Sequence, residues 1–94
     1  MNSRDDKQGA MDDYLEALGV NREIEFVYDN VSYRFEPNYE KNGYDIWKYS
    51  NGFKTGGGEV IAFAGTPEEA LSLKCFDGKS FSEIESEATH KYVV

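Results

Sequence analysis

Alternation of apolar and polar residues is sharpest between residues 24 and 35, "IEFVYDNVSYRF", where two period-two runs flank Asp29-Asn30. Both turn residues tolerate the left-handed backbone of a two-residue hairpin. A reversal there pairs Tyr28 with Val31, Phe26 with Tyr33 and Ile24 with Phe35, so these apolar side chains leave the ribbon on one flank. The other flank pairs Glu25 with Arg34, an ion pair that requires the same register.

Other spacings supply the remaining elements. Met11, Tyr14, Leu15 and Leu18 recur at helical intervals, Asp12 and Asp13 suit the positive end of a helix dipole, and Gly19 offers a left-handed stop. This predicts a short helix of about two turns, with Val20 folding back on Leu15. Residues 1–10 lack apolar periodicity and read as a mobile tail, or as residues added ahead of a start at Met11; residues 11–94 read as one domain. Pro37 should end the second strand, and Asn42-Gly43 closes the loop after it. "YDIWKYS" is a third strand whose pattern is ambiguous: Tyr44 and Ile46 point one way, Trp47 and Tyr49 the other, and one pair must look away from the core.

The stretch "YSNGFKTGGGEVIAFAG" poses the main chemical question. A G-x-G-x-x-G nucleotide fingerprint should open a helix, but Gly56-Gly57-Gly58 leads into the short β-branched run "EVIAFAG", and Ile61 holds the place of the third glycine. A wide hairpin loop turning at Asn51-Gly52 fits better, with residues 59 onward as the fourth strand. "DGKS" at 77–80 ends like a phosphate loop, yet Leu73 stands where its first glycine belongs, so a helix-to-helix turn at Gly78 is the preferred reading.

Thr66, Pro67 and Glu69 mark a helix start with a capping box, and Ala70, Leu71, Leu73 and Cys75 form its apolar side. Ser80 and Glu83 form a second capping box ahead of Phe81, Ile84 and Ala88. "THKYVV" could add a final edge strand. The expected fold is α+β: an N-terminal helix, a four-stranded antiparallel meander and two short helices on one face of the sheet. Phe26, Tyr33, Phe35, Leu71, Phe81 and Ile84 should form the core.

Composition narrows the function. The 94 residues are 39% apolar, 15% aromatic and 30% charged, as in a folded domain. Ten basic against 18 acidic residues leave a formal charge of −8 with no basic patch, which argues against double-stranded nucleic acid and anionic membranes as partners. A single cysteine and no apolar stretch of about 18 residues imply a cytoplasmic chain by default.

Catalytic patterns are weak. Cys75 and His90 could in principle be a nucleophile and its base, but nothing supports the pairing, and a small buried cysteine and a solvated histidine are the preferred reading. Asp12-Asp13 and Glu68-Glu69 sit in predicted first turns, where dipole compensation accounts for them. The residues match no metal-ligand spacing, and no cofactor is expected.

Nine aromatics fall between residues 26 and 53, more than one face of a small sheet can hide. The expected role is a non-enzymatic, acidic protein-binding module, an accessory or inhibitor, whose contact region spans Trp47, Tyr49, Phe53 and Lys54. Two alternatives stand beside it: a small-molecule-binding domain or enzyme without a recognisable motif, and an acidic mimic of nucleic acid.

The succession "EFVYDNVSYRFEP", "GYDIWKYS", "TPEEAL" and "KCFDGKSFSEI" resembles a group of small uncharacterised bacterial proteins found in Gram-positive genomes and their mobile elements. It covers residues 23–87 and implies a bacterial cytoplasmic α+β domain. Strand aromatics, caps and a glycine turn carry the resemblance, so it lends no catalytic residue.

Overall fold

The computed structural model describes residues 3–53 and 57–94. Its elements are α1 (Ser3–Gly19), β1 (Ile24–Tyr28), β2 (Val31–Asn38), β3 (Gly43–Tyr49), β4 (Glu59–Ala64), α2 (Pro67–Ser72), α3 (Phe81–Ile84) and β5 (Thr89–Val93). The strands form one antiparallel sheet in the order β4-β3-β2-β1-β5, so the fold is α+β with five strands. The expected meander is present, and the tail completes it as an edge strand beside β1.

Asp29 and Asn30 both adopt positive φ, 51° and 64°, and the β1–β2 register is the one the alternation requires: Ile24↔Phe35, Phe26↔Tyr33, Tyr28↔Val31 and Glu25↔Arg34. A two-residue turn makes Tyr28 and Val31 a hydrogen-bonded pair, after which alternate residues of β2 address β1 and β3 in turn. This explains a departure from expectation. Pro37 does not end β2, which continues to Asn38 opposite Gly43. Its missing amide hydrogen would point toward β1, and Pro37 stands two residues past the last β1 pair, Ile24↔Phe35.

Two further boundaries moved. α1 begins at Ser3, well ahead of Met11, because Arg4, Lys7, Gln8 and Ala10 are good helix formers even without an apolar stripe. Its stop also differs: Gly19 is not left-handed. Asn21 is, at φ 62°, with Asn21 N–H donating to Leu18 O at 2.9 Å and Arg22 N–H to Ala17 O at 2.9 Å, the double bond of a Schellman end. Val20 is thereby left 64% exposed and does not fold back into the core. α2 stops at Ser72, short of Leu73 and Cys75, and Asp77-Gly78 makes a tight turn with both φ positive that pairs Phe76 with Lys79. Ser80 then caps α3 with the full capping box to Glu83.

The core lies between one sheet face and the three helices. Ile24, Phe26, Tyr33, Phe35, Tyr44, Ile46 and Ala64 from the sheet meet Leu18, Ala70, Leu71, Phe81, Ile84 and Ala88, with Phe76 inserted from its turn. All six residues expected in the core are there, and Phe76 joins them. Its ring centroid is 5.0 Å from Tyr33 and 5.4 Å from Phe26. The β3 ambiguity is resolved: Tyr44 and Ile46 are buried, so Trp47 and Tyr49 face the opposite side. Among the described residues no helix is long and apolar enough to cross a membrane.

Candidate functional site

The sheet face turned away from the helices carries the candidate site. Strand alternation brings Glu25 and Val27 of β1, Ser32, Arg34 and Glu36 of β2, and Asp45, Trp47 and Tyr49 of β3 to this side. β4 contributes through an irregularity. Val60 faces Trp47, while Phe63 faces Asp45, so Ile61 is an extra residue that places both on the same face.

Arg34 organises the centre. Its Nη2 and Nε donate to one Glu25 oxygen at 2.7 and 3.0 Å, its Nη1 donates to the Tyr49 hydroxyl at 3.3 Å, and Glu36 and Glu23 lie 3.7 and 3.9 Å away. The guanidinium also sits over two rings, 5.0 Å from the Phe53 centroid and 5.3 Å from Tyr49. Burial works against its charge, but the bond to Glu25 and the oxygens around it outweigh burial and raise its pKa.

Three of the four residues expected in the contact region come together. Trp47 stacks on Tyr49 at 6.0 Å, and Tyr49 meets Phe53 at 4.9 Å. Gly58 lies so close to the Tyr49 ring that a Cβ there would collide with it. A glycine is therefore needed at 58 for close approach to this ring, and the chain leads directly into β4. Gly52, at φ 83° with its amide bonded to Tyr49 O at 3.1 Å, makes the expected turn at Asn51-Gly52. Lys54 lies outside the described residues.

Mutual packing leaves Trp47, Tyr49 and Phe53 half-buried. Val60 and Phe63, at 47% and 38% exposure, offer accessible apolar surface at the β4 side of this face, as Tyr92, opposite Glu25, does at the β5 side, and Lys41 Nζ sits 5.5 Å from the Phe63 centroid. Sequence reasoning missed Arg34, Val60 and Phe63. Arg34 was legible only as the partner of Glu25, and no local pattern reveals the bulge that turns Val60 and Phe63 the same way. Among the described residues the buried Trp47 Nε1–H finds no hydrogen-bond partner.

Elsewhere the chemistry is sparse. Cys75 packs against the core, and burial pushes its thiol up to about 11, opposite to what a nucleophile requires. His90 is exposed and contacts Thr89 Oγ1 at 3.2 Å. A hollow of about 170 Å³ lined by Asn21, Asn38, Tyr39, Asn42 and Tyr44 is smaller than ordinary ligand sites, and the Asn38 side chain in it already bonds Asp45 and the Lys41 amide. Among the described residues no carboxylate, histidine and cysteine groups gather as a metal site. Comparison with protein-family models, curated proteins and solved structures found no match.

Proposed function

We propose that this chain is a non-enzymatic, acidic protein-binding module that docks a partner on the helix-free face of its sheet. The observation that carries the reading is the aromatic group Trp47, Tyr49 and Phe53 built around Arg34, bordered by exposed Val60 and Phe63. Aromatic and arginine side chains are effective interface anchors, and this group is already ordered before a partner arrives. Glu23, Glu25, Glu36 and Asp45 surround it, and with a net charge of −8 they favour a partner of positive charge.

Salt-titrated capture from a Gram-positive bacterial lysate tests the reading, comparing the wild-type chain with Phe63→Ser. The wild type should retain a protein at low ionic strength and lose it as salt rises. Phe63→Ser should retain none while its circular dichroism is unchanged. Equal capture by both chains, or none by the wild type, overturns the proposal.

A further inference from the structure

We infer that the partner joins the sheet as an added antiparallel strand along the outer side of β4, and that this strand carries positive charge. The inference rests on the helix-free face being the docking side.

Hydrogen-bond alternation identifies which backbone groups β4 leaves outward. Tyr28↔Val31 is a bonded pair, so Val31, Tyr33 and Phe35 address β1, while Ser32, Arg34, Glu36 and Asn38 address β3. Gly43, Asp45, Trp47 and Tyr49 return those bonds, leaving Tyr44, Ile46 and Lys48 to address β4. Their partners Ala64, Ala62 and Glu59 therefore point inward, and the N–H and C=O groups of Val60 and Phe63 point away from the sheet. Val60 and Phe63 are also the exposed apolar side chains at this end of the helix-free face. One incoming strand can take their main-chain groups and cover their side chains together.

The two edges of the sheet are not equivalent. β5 carries Lys91, tied to Glu85 at 2.8 Å, and His90 with φ 51°, a charge and a break of the kind that blunt an edge. β4 has its one charge, Glu59, at its first residue, and although it bulges at Ile61, residues 60–66 carry no charge. Acidic residues outnumber basic ones around this uncharged run: Glu59 before it, Glu68 and Glu69 after it and Asp45 paired to Phe63, against Lys48 paired to Glu59 and Lys41 over the Phe63 ring. A second copy would bring another −8 to the junction, so charge selects a basic strand over self-pairing.

The test follows amide hydrogen exchange and ring chemical shifts of the full chain on adding capped peptides of about eight residues, alternating valine with lysine or valine with glutamate. The lysine peptide should slow exchange at Val60 and Phe63 about tenfold or more, and the glutamate peptide should not. Val60→Pro, tolerable on an edge but without the outward donor, should bind the lysine peptide about tenfold more weakly. Shifts of Trp47 and Tyr49 without protection at β4 overturn strand addition and leave face docking standing; no response at all removes both. Equal protection by the glutamate peptide overturns the charge assignment. Protection that grows with protein concentration alone assigns the edge to a second copy and overturns the inference, as does unchanged binding by Val60→Pro.

Discussion

Arg34 and Glu25 oppose each other across the β1–β2 ladder, and both Nη2 and Nε of the guanidinium converge on one carboxylate oxygen, at 2.7 and 3.0 Å. The Arg34 side chain is only 22% exposed, so this pair is shielded better than an ordinary surface ion pair. The same guanidinium lies beside Glu23, Glu25 and Glu36 and against the Tyr49 and Phe53 rings.

Arg34→Met should therefore cost about 1–3 kcal/mol, since it leaves three carboxylates facing one another without the cation they share. Arg34→Lys should recover only part, because an ammonium cannot reproduce the planar fork over two rings. Urea midpoints at neutral pH measure both. Unchanged midpoints would show that the cluster does not hold the face together.

Glu36 has its pKa raised, first by burial and then by repulsion from Glu23. A carboxyl held above its unfolded value favours the fold while protonated; that contribution is complete below the ordinary 4.5 and is lost as pH rises through the folded value. Glu36→Gln should therefore stabilise the protein at neutral pH by a few tenths to about 1 kcal/mol, and the gain should vanish below that ordinary value. Denaturant titrations of both chains at several pH values check the sign. A gain that grows on acidification would reverse the assignment.

Phe76 occupies the centre of the aromatic core from a two-residue turn, with no solvent exposure. Phe76→Ala should cost about 3–5 kcal/mol, within the range that unfolds a small domain. Phe76→Leu should retain part of the packing and serve as the folded comparison. Thermal melts of the two variants should fall in that order, and a mild alanine variant would mean that the turn is peripheral.

β5 is fastened by Glu85, which accepts hydrogen bonds from Lys91 Nζ at 2.8 Å and from the Tyr14 hydroxyl at 3.3 Å. Burial and the Glu85 charge push the Tyr14 phenol up to about 12. Its contribution to stability is complete below the ordinary value of 10.0 and is lost as pH rises through about 12. Tyr14→Phe should cost about 1 kcal/mol at neutral pH. Absorbance titration should show Tyr14, Tyr33 and Tyr44 of the wild type ionising late, and one of these late components should be missing from the variant. If none is lost, another tyrosine is responsible.

Much of the architecture is written in short-range pattern. The Asp29-Asn30 turn, the β1–β2 register, the Thr66 cap, the Ser80–Glu83 capping box and six core residues follow from turn chemistry and periodicity, because each depends on neighbours a few residues apart. The expected Thr66–Glu69 box is only half formed, since the Glu69 carboxylate accepts from Gly65 N–H. At the site, Trp47, Tyr49 and Phe53 were recognisable as surplus aromatics on a strand. Tertiary structure decided the rest. Whether Ile46 or Trp47 turns inward depends on which face of β3 the helices cover, a contact between distant segments. Phe76 reaches the core only because α2 stops early, and Val60 joins Phe63 only because Ile61 bulges against β3. Local sequence determines backbone reversals and side-chain parity; the choice of buried face belongs to packing between elements far apart in the chain.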